Sequence, residues 1–560
     1  MGERESKSDP LAPEEEQAEA ILLSDSMDSP IEKRTLIRES GRVSLLIGLG
    51  LAAKVTVDFV MAAKFGLGFQ TDAFFVAYTI PLIFESLIYP ACQYGFVPVF
   101  VRYLVPEQVE NKRSLFSTLF NLGWLICLGF SILGIIGADL IVSLLAPGLG
   151  ETSYELAVRL TRILFLSSLF VGPAGVMRAY LNAHSHFTVP AMFELIRGLA
   201  AISTIVFTSR YMGIESVALG FAVGTGFQFA VLAIAVMVQV GFDFRWGMRL
   251  ALIRSSKAHR LFLVHIGNFT IIQSVMILQR VIGSFLPEGS ISAISYGHRM
   301  ASVVGTLLFS GVEVVSLSSL AADFAKGTVA RLQKAKDTLL IGLRLGLILG
   351  IPVAVSIFSL RYPITQILFE RGAFDYLDTL LAAPVLGLFA LSIPFYGHWL
   401  LLLNYLFAAN RPRMILVLSS IFAVTNLILA IPMSRLLGAT GLAVTYVGGF
   451  AAMYVSSFSL IRDELNPYWR TMFRLAGKVI GASMIMGLVL QVAGQITARF
   501  FRGLPNWPNL IVLSSSLVFA GITGTLILFC VYLIFRVEEA TELLRYIKGH
   551  WLTRLGSYIN

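Results

Sequence analysis

The fold is decided by residues 43–66, VSLLIGLGLAAKVTVDFVMAAKFG, an apolar run broken only by Lys54, Asp58 and, at its end, Lys64. A helix rises 1.5 Å per residue and about 20 apolar residues cross a hydrocarbon core of about 30 Å, so this run is long enough to span a bilayer. It is also continuously apolar rather than alternating. Only helices and closed barrels satisfy backbone polar groups in lipid, and barrel strands alternate, so the run reads as a transmembrane helix. Similar runs recur to about residue 535, about 14 in all. Among them are 71–101, 156–181, 187–209, 291–322, 377–408 and 509–535.

Composition agrees with this reading. The chain has 560 residues, 56% of them hydrophobic and 14% charged, and a mean hydropathy of +0.77. Soluble domains carry roughly a quarter charged residues, so a cytosolic enzyme, a disordered chain and a secreted disulfide scaffold are all excluded. The net charge of +9 is spread over short clusters between apolar runs, which is how a polytopic protein carries Lys and Arg in its cytoplasmic loops. Nucleic acid is therefore not an expected partner. Cys92, Cys127 and Cys530 lie in apolar stretches without paired or metal-ligand spacing and read as small core residues.

The expected organisation is an all-α polytopic membrane protein with two pseudo-symmetric six-helix lobes and two extra C-terminal helices. Residues 1–41, with Pro10, Pro13 and the run Glu14 to Glu16, read as a disordered cytoplasmic tail. The first lobe would cover 42–240 and the second 261–462. An interfacial helix at 241–260 would join them, two further helices would fill 463–536, and an amphipathic cytoplasmic tail would follow at 537–560. A shift of about 225 residues superposes Ser167 on Ser392, Gly172 on Gly397, Tyr180-Leu181 on Tyr405-Leu406, Gly213 on Gly438, Ala218 on Ala443 and Gly224 on Gly449. Duplicated bundles facing each other are a device for alternating access in transporters. Lys and Arg concentrate in alternate loops by roughly three to one, which places both termini in the cytoplasm.

Charge within an apolar span costs about 2.5–3.5 kcal/mol on insertion scales, so such residues are the functional candidates. Lys54 and Asp58 stand four apart on one helix face, either as a structural ion pair or as cavity lining. Glu85 has no sequence neighbour to neutralise it; it is either protonated and inert, or it binds a cation or a substrate amine. His298 and Arg299 open the eighth expected helix, lining a cavity or snorkelling. Arg280 reads as a snorkelling residue near the outer end of helix 7, and Glu194 with Arg197 as a self-compensated pair at i, i+3. The glycines Gly342, Gly346 and Gly350 read as a helix-packing stripe. No phosphate-cradling loop, HExxH motif or catalytic constellation is present, so an enzyme is not expected, and neither a metal nor a cofactor is called for.

Several local motifs resemble the MurJ/MviN family. They are Ala63-Lys64-Phe65-Gly66, Thr71-Asp72-Ala73-Phe74-Phe75-Val76-Ala77-Tyr78 with Pro81, Gly95-Phe96-Val97-Pro98, Tyr180-Leu181-Asn182-Ala183 with Phe187 and Pro190, and Leu368-Phe369-Glu370-Arg371-Gly372-Ala373-Phe374 with Asp378-Thr379. The resemblance implies a bacterial inner-membrane flippase of lipid II, the undecaprenyl-diphosphate-linked peptidoglycan precursor, within the MOP superfamily that also holds polysaccharide exporters and MATE antiporters. It further implies V-shaped lobes around a central cationic cavity, and a lipid-facing groove made by the last two helices. Where the family's first helix carries two arginines, this sequence has Leu51 and Val57, with Asp58 retained; its helix 2 arginines align near Glu85 and Ser86. The helix 8 arginine is kept as Arg299, beside His298 in place of an acid. The expected cavity is therefore less cationic than the family's.

The expected partners are a lipid-linked glycan, membrane lipids, a coupling ion (sodium or proton) and cell-envelope glycan-synthesis proteins. The expected substrate-binding residues are Lys54, Asp58, Glu85, His298 and Arg299, with Lys54 and Arg299 on the diphosphate. Lipid II and another lipid-linked oligosaccharide both stand as cargo. A cation or drug antiporter using Asp58 and Glu85, and a transport-inactive membrane scaffold, are the competing classes.

Overall fold

The computed structural model describes residues 30–103, 109–241, 259–326, 328–461, 468–502 and 509–534, and among them there are helices and no strand. In chain order, α1 is Pro30–Phe65, α2 Phe69–Arg102, α3 Val109–Ile136, α4 Ala138–Leu145, α5 Glu151–Ser168, α6 Val171–Ala183 and α7 Thr188–Ala191. Then come α8 Phe193–Met212, α9 Glu215–Gln239, α10 His259–Gly283, α11 Ser290–Lys326, α12 Val329–Ser359 and α13 Arg361–Phe369. The remaining helices are α14 Tyr376–Ala390, α15 Ile393–Ala408, α16 Pro412–Leu437, α17 Ala439–Leu460, α18 Trp469–Arg502 and α19 Asn509–Ile534.

The first helix starts at Pro30, earlier than the expected tail boundary at residue 41. Proline at the first helical position loses no bonded N–H and has its φ preset for the helix. Residues 1–29, 242–258 and 535–560, which hold most of the expected tail, the linker helix and the C-terminal amphipathic segment, lie outside the described residues.

Eleven helices among the described residues are long and apolar enough to cross a membrane, against the expected count of about fourteen. α8 carries Glu194 and Arg197, and α11 carries His298, Arg299 and Glu313. α19 contains the apolar segment Leu517–Tyr532. Two expected continuous helices are interrupted, 156–181 at Leu169–Phe170 and 377–408 at Leu391–Ser392. Pro173 and Pro394 follow the two breaks within the first turns, where a missing N–H and a fixed φ are tolerated.

The sequence repeat has a physical counterpart. Gly213 ends α8 at φ 57°, ψ −139°, and Gly438 ends α16 at φ 62°, ψ −136°. Ser185 and Asn410 both adopt positive φ, 61° and 52°, and each is followed by the same closing bond, His186 N to Leu181 O and Arg411 N to Leu406 O, both 2.9 Å. Gly224 lies against the backbone of Arg197, and Gly449 against that of Phe422, the same contact displaced by the repeat length. Gly342 and Gly350 of α12 meet Leu401 and Pro394 of α15, as the packing stripe predicts. Cys92 and Cys127 are buried, whereas Cys530 is exposed on α19 rather than in the core.

One apolar core crosses between the halves, joining Phe74, Phe75 and Val57 to Tyr296, Phe369, Phe374 and Leu442. Two others are confined to one half each, around Tyr180 and Phe193, and around Tyr405 and Phe422. Large side chains such as Leu133, Ile136, Leu140 and Leu144 remain exposed, which suits contact with acyl chains.

The backbone at Gly213 and Gly438 lies where a Cβ is strained by about 1–3 kcal/mol. Gly213→Ala and Gly438→Ala should each lower stability by about that amount, and the two losses should add because the sites sit in separate halves. Thermal unfolding of the detergent-solubilised single and double variants measures this.

Candidate functional site

The halves are fastened together at one end. Asp72 of α2 accepts from the backbone N–H groups of Gly289 and Ser292, both at 2.7 Å, so a carboxylate of one half caps the first turn of α11 in the other. Thr71 adds a 2.8 Å bond to Ser292 Oγ. Nearby, Ala373 N donates to Ala63 O at 2.8 Å and Leu67 N donates to Asp378 Oδ2 at 2.9 Å. Gly148 N donates to Ser284 Oγ at 3.0 Å. Gly372, at φ 64°, lies so close to Ala63 O that a Cβ has no room, which is why two backbones can meet there. Three motifs distant in sequence, 63–66, 71–78 and 368–379, thus converge on a single seal.

Next to the seal, between the halves, is a cavity of about 330 Å³. Helical periodicity builds its walls. Phe75, Tyr78, Thr79, Leu82 and Ser86 follow one face of α2, and Ile294, Ser295, His298, Arg299 and Ser302 follow one face of α11, at spacings of three and four. α1 contributes Leu51, Lys54 and Asp58; α10 contributes Gln273 and Arg280; α17 contributes Tyr446.

The ionisable residues pair differently from the sequence expectation. Asp58 is bonded to Arg299, not to Lys54, and this ion pair joins α1 of one half to α11 of the other. A guanidinium fork reaching across the gap satisfies a buried carboxylate better than a lysine on the same helix, whose ammonium favours solvent. Lys54 is exposed on the cavity wall and forms no ion pair within the described residues. Glu85 is not a lone carboxylate: Arg197 of α8, itself buried, bonds both Glu85 and Glu194. That places Glu85 in an ion cluster inside the first half and off the cavity wall. His298 and Arg299 do line the cavity; His298 Nε2 lies 3.0 Å from Tyr446 OH.

Arg280 departs furthest from its expected role. It does not snorkel but is 6% exposed, with Nε 3.2 Å from Thr79 Oγ1 and Nη1 3.3 Å from Ile291 O. Both guanidinium groups approach Phe75, Arg280 at 5.9 Å from the ring centroid and Arg299 at 5.0 Å. The cavity wall therefore carries Lys54, Arg280 and Arg299 against Asp58, an excess of positive charge. Such a charge balance favours an anion over a cation. Sequence reasoning missed Arg280 because hydropathy alone placed it near a helix end; its spacing of four and seven from Met276 and Gln273, on the polar face of α10, was the available signal.

A family model described as lipid II flippase MurJ matches residues 61–509. A probable lipid II flippase MurJ of Buchnera aphidicola subsp. Baizongia pistaciae is 28% identical over 351 residues, 60% of this chain and 66% of the relative, so the chain spans just under two thirds of that relative's length. The lipid II flippase MurJ of Burkholderia cenocepacia is 26% identical over 374 residues, 64% of this chain and 70% of that one. A probable lipid II flippase MurJ of Rhizobium tropici is 23% identical over 493 residues, covering 86% and 89%. Among solved structures, a lipid II flippase MurJ in an inward closed conformation superposes with a TM-score of 0.72 at 22% identity, over 90% of this chain and 99% of that one. An inward-facing MATE family transporter of the MOP superfamily superposes with a TM-score of 0.60 at 15% identity, over 76% and 95%.

Removing one partner of a buried ion pair strands the other, at a cost of about 3–5 kcal/mol. Asp58→Asn should destabilise the protein by about that amount, and Asp58→Asn combined with Arg299→Gln by clearly less than the sum of the single losses. A double-mutant cycle read by thermal unfolding checks the coupling.

Proposed function

The chain belongs to the MurJ family, and from that membership we propose that it flips an undecaprenyl-diphosphate-linked glycan, with lipid II as cargo, across the bacterial inner membrane. The observation that carries the reading is the positive excess on the cavity wall, Lys54, Arg280 and Arg299 with Asp58 as the one acid among its described lining residues. A diphosphate entering a low-dielectric space needs fixed positive charge to replace its hydration, and arginine offers the forked donors that match phosphate oxygens. Lys54 and Arg299 would contact the diphosphate, with His298 beside them and Asp58 holding Arg299 until the anion arrives. Glu85 is left out of that contact set, because Arg197 already occupies it.

Under the loop-charge rule the sealed end, with residues 63–72, 284–292 and 368–379, faces outward. The cavity would then receive the headgroup from the cytoplasmic side, and opening of the seal would release it outward. A coupling ion, sodium or proton, or the membrane potential would drive the cycle; moving one charge across 100 mV is worth about 2.3 kcal/mol. Glycan-synthesis proteins of the envelope would supply and consume the cargo. The antiporter reading needs carboxylates open to a cation, and it loses support because Asp58 and Glu85 are both held by arginines.

Expression in a strain depleted of its own lipid II flippase should restore growth, and Arg299→Ala should abolish the rescue while the protein still reaches the membrane. A wild-type chain that accumulates in the membrane yet gives no rescue would remove lipid II as cargo and leave another lipid-linked oligosaccharide. In the same cells, a cysteine at Leu436, in the exposed last turn of α16 at the end opposite the termini, should label with a membrane-impermeant thiol reagent, and one at Arg411 should not.

A further inference from the structure

We propose that Arg280 is a phosphate-anchoring residue, forming with Arg299 a two-guanidinium clamp around Phe75 that selects a diphosphate over a monophosphate. The inference rests on the flippase reading and extends it to a residue and a specificity. It starts from a buried charge that no acid hydrogen-bonds among the described residues, Asp72 acting on it only through space. Arg280 is buried, and both of its hydrogen bonds go to neutral acceptors, the Thr79 hydroxyl and the Ile291 carbonyl. The two buried acids of this region are engaged elsewhere, Asp58 by Arg299 and Asp72 by the N–H groups of Gly289 and Ser292. A buried cation left in this state is unfavourable, and its cation–π contact with Phe75 offsets only part of that. Arg280 lines the cavity, so its remaining Nη donors have one place to find an anion.

The geometry favours an anion with two charged centres. Arg280 sits on α10 and Arg299 on α11, and their guanidinium groups approach the same aromatic ring at 5.9 and 5.0 Å. Asp58 partly satisfies Arg299, whereas among the described residues no acid hydrogen-bonds Arg280 and only Asp72 attracts it from a distance. The first phosphate therefore gains most at Arg280, and a second phosphate is needed to compete with Asp58 for Arg299. A monophosphate would take the first position and leave the ion pair intact.

Full-length protein in detergent is titrated with a polyprenyl diphosphate and with the matching monophosphate, and its thermal unfolding is recorded without ligand. Wild type should prefer the diphosphate. Arg280→Gln should weaken diphosphate binding on the order of 10- to 100-fold and collapse the preference, with the unliganded unfolding temperature unchanged or raised, because a buried cation with no acid bonded to it has been removed. Arg280→Lys, which keeps the charge but not the fork, should stay folded and lose most of the preference. Diphosphate affinity and preference retained in both variants would overturn the role of Arg280 and leave the flippase reading standing. A lowered unfolding temperature in both variants with the preference intact would make Arg280 a structural strut instead. Absence of any polyprenyl-phosphate binding by the wild type would overturn the flippase reading itself, and this inference with it.

Discussion

A charge inside the bilayer must find a partner, and in this chain the partner is often in another part of the molecule. Asp58 of α1 is held by Arg299 of α11, so the ion pair that makes each residue tolerable also ties one half to the other. Pairing within a helix would neutralise charge and leave the halves independent. Pairing across the gap makes the state of the cavity and the relation of the halves a single variable. An anion that competes for Arg299 acts on both.

The seal next to the cavity follows the same logic with backbone in place of side-chain charge. The first turn of α11 begins with N–H groups that have no intrahelical acceptor, and Asp72, from the other half, supplies one. The approach of Gly372 to Ala63 needs a missing Cβ and a positive φ together. Breaking these contacts would expose N–H groups that a lipid environment cannot satisfy, which stabilises the formed seal.

The ion cluster of Glu85, Arg197 and Glu194 is a contrasting case. One guanidinium serves two carboxylates inside a single half, away from the cavity wall. It costs desolvation and gives α2 and α8 a fixed register, so it is best understood as part of the scaffold. The aligned position of a cavity arginine is thus occupied by an acid that faces inward, while cavity charge comes from α10.

The sequence by itself determined the all-helical membrane character, the repeat of about 225 residues, the family, and which ionisable residues were too costly to be incidental. Hydropathy and periodicity are properties of one chain segment at a time, and these conclusions need nothing more. Tertiary structure alone decided which charge meets which: Asp58 with Arg299 rather than Lys54, Glu85 with Arg197, and Arg280 buried at the cavity rather than at an interface. The reason is physical. A neighbour at i, i+4 is only a few ångströms away, but in a low-dielectric interior the better-oriented fork from a distant helix wins, and no local pattern records where that helix lies.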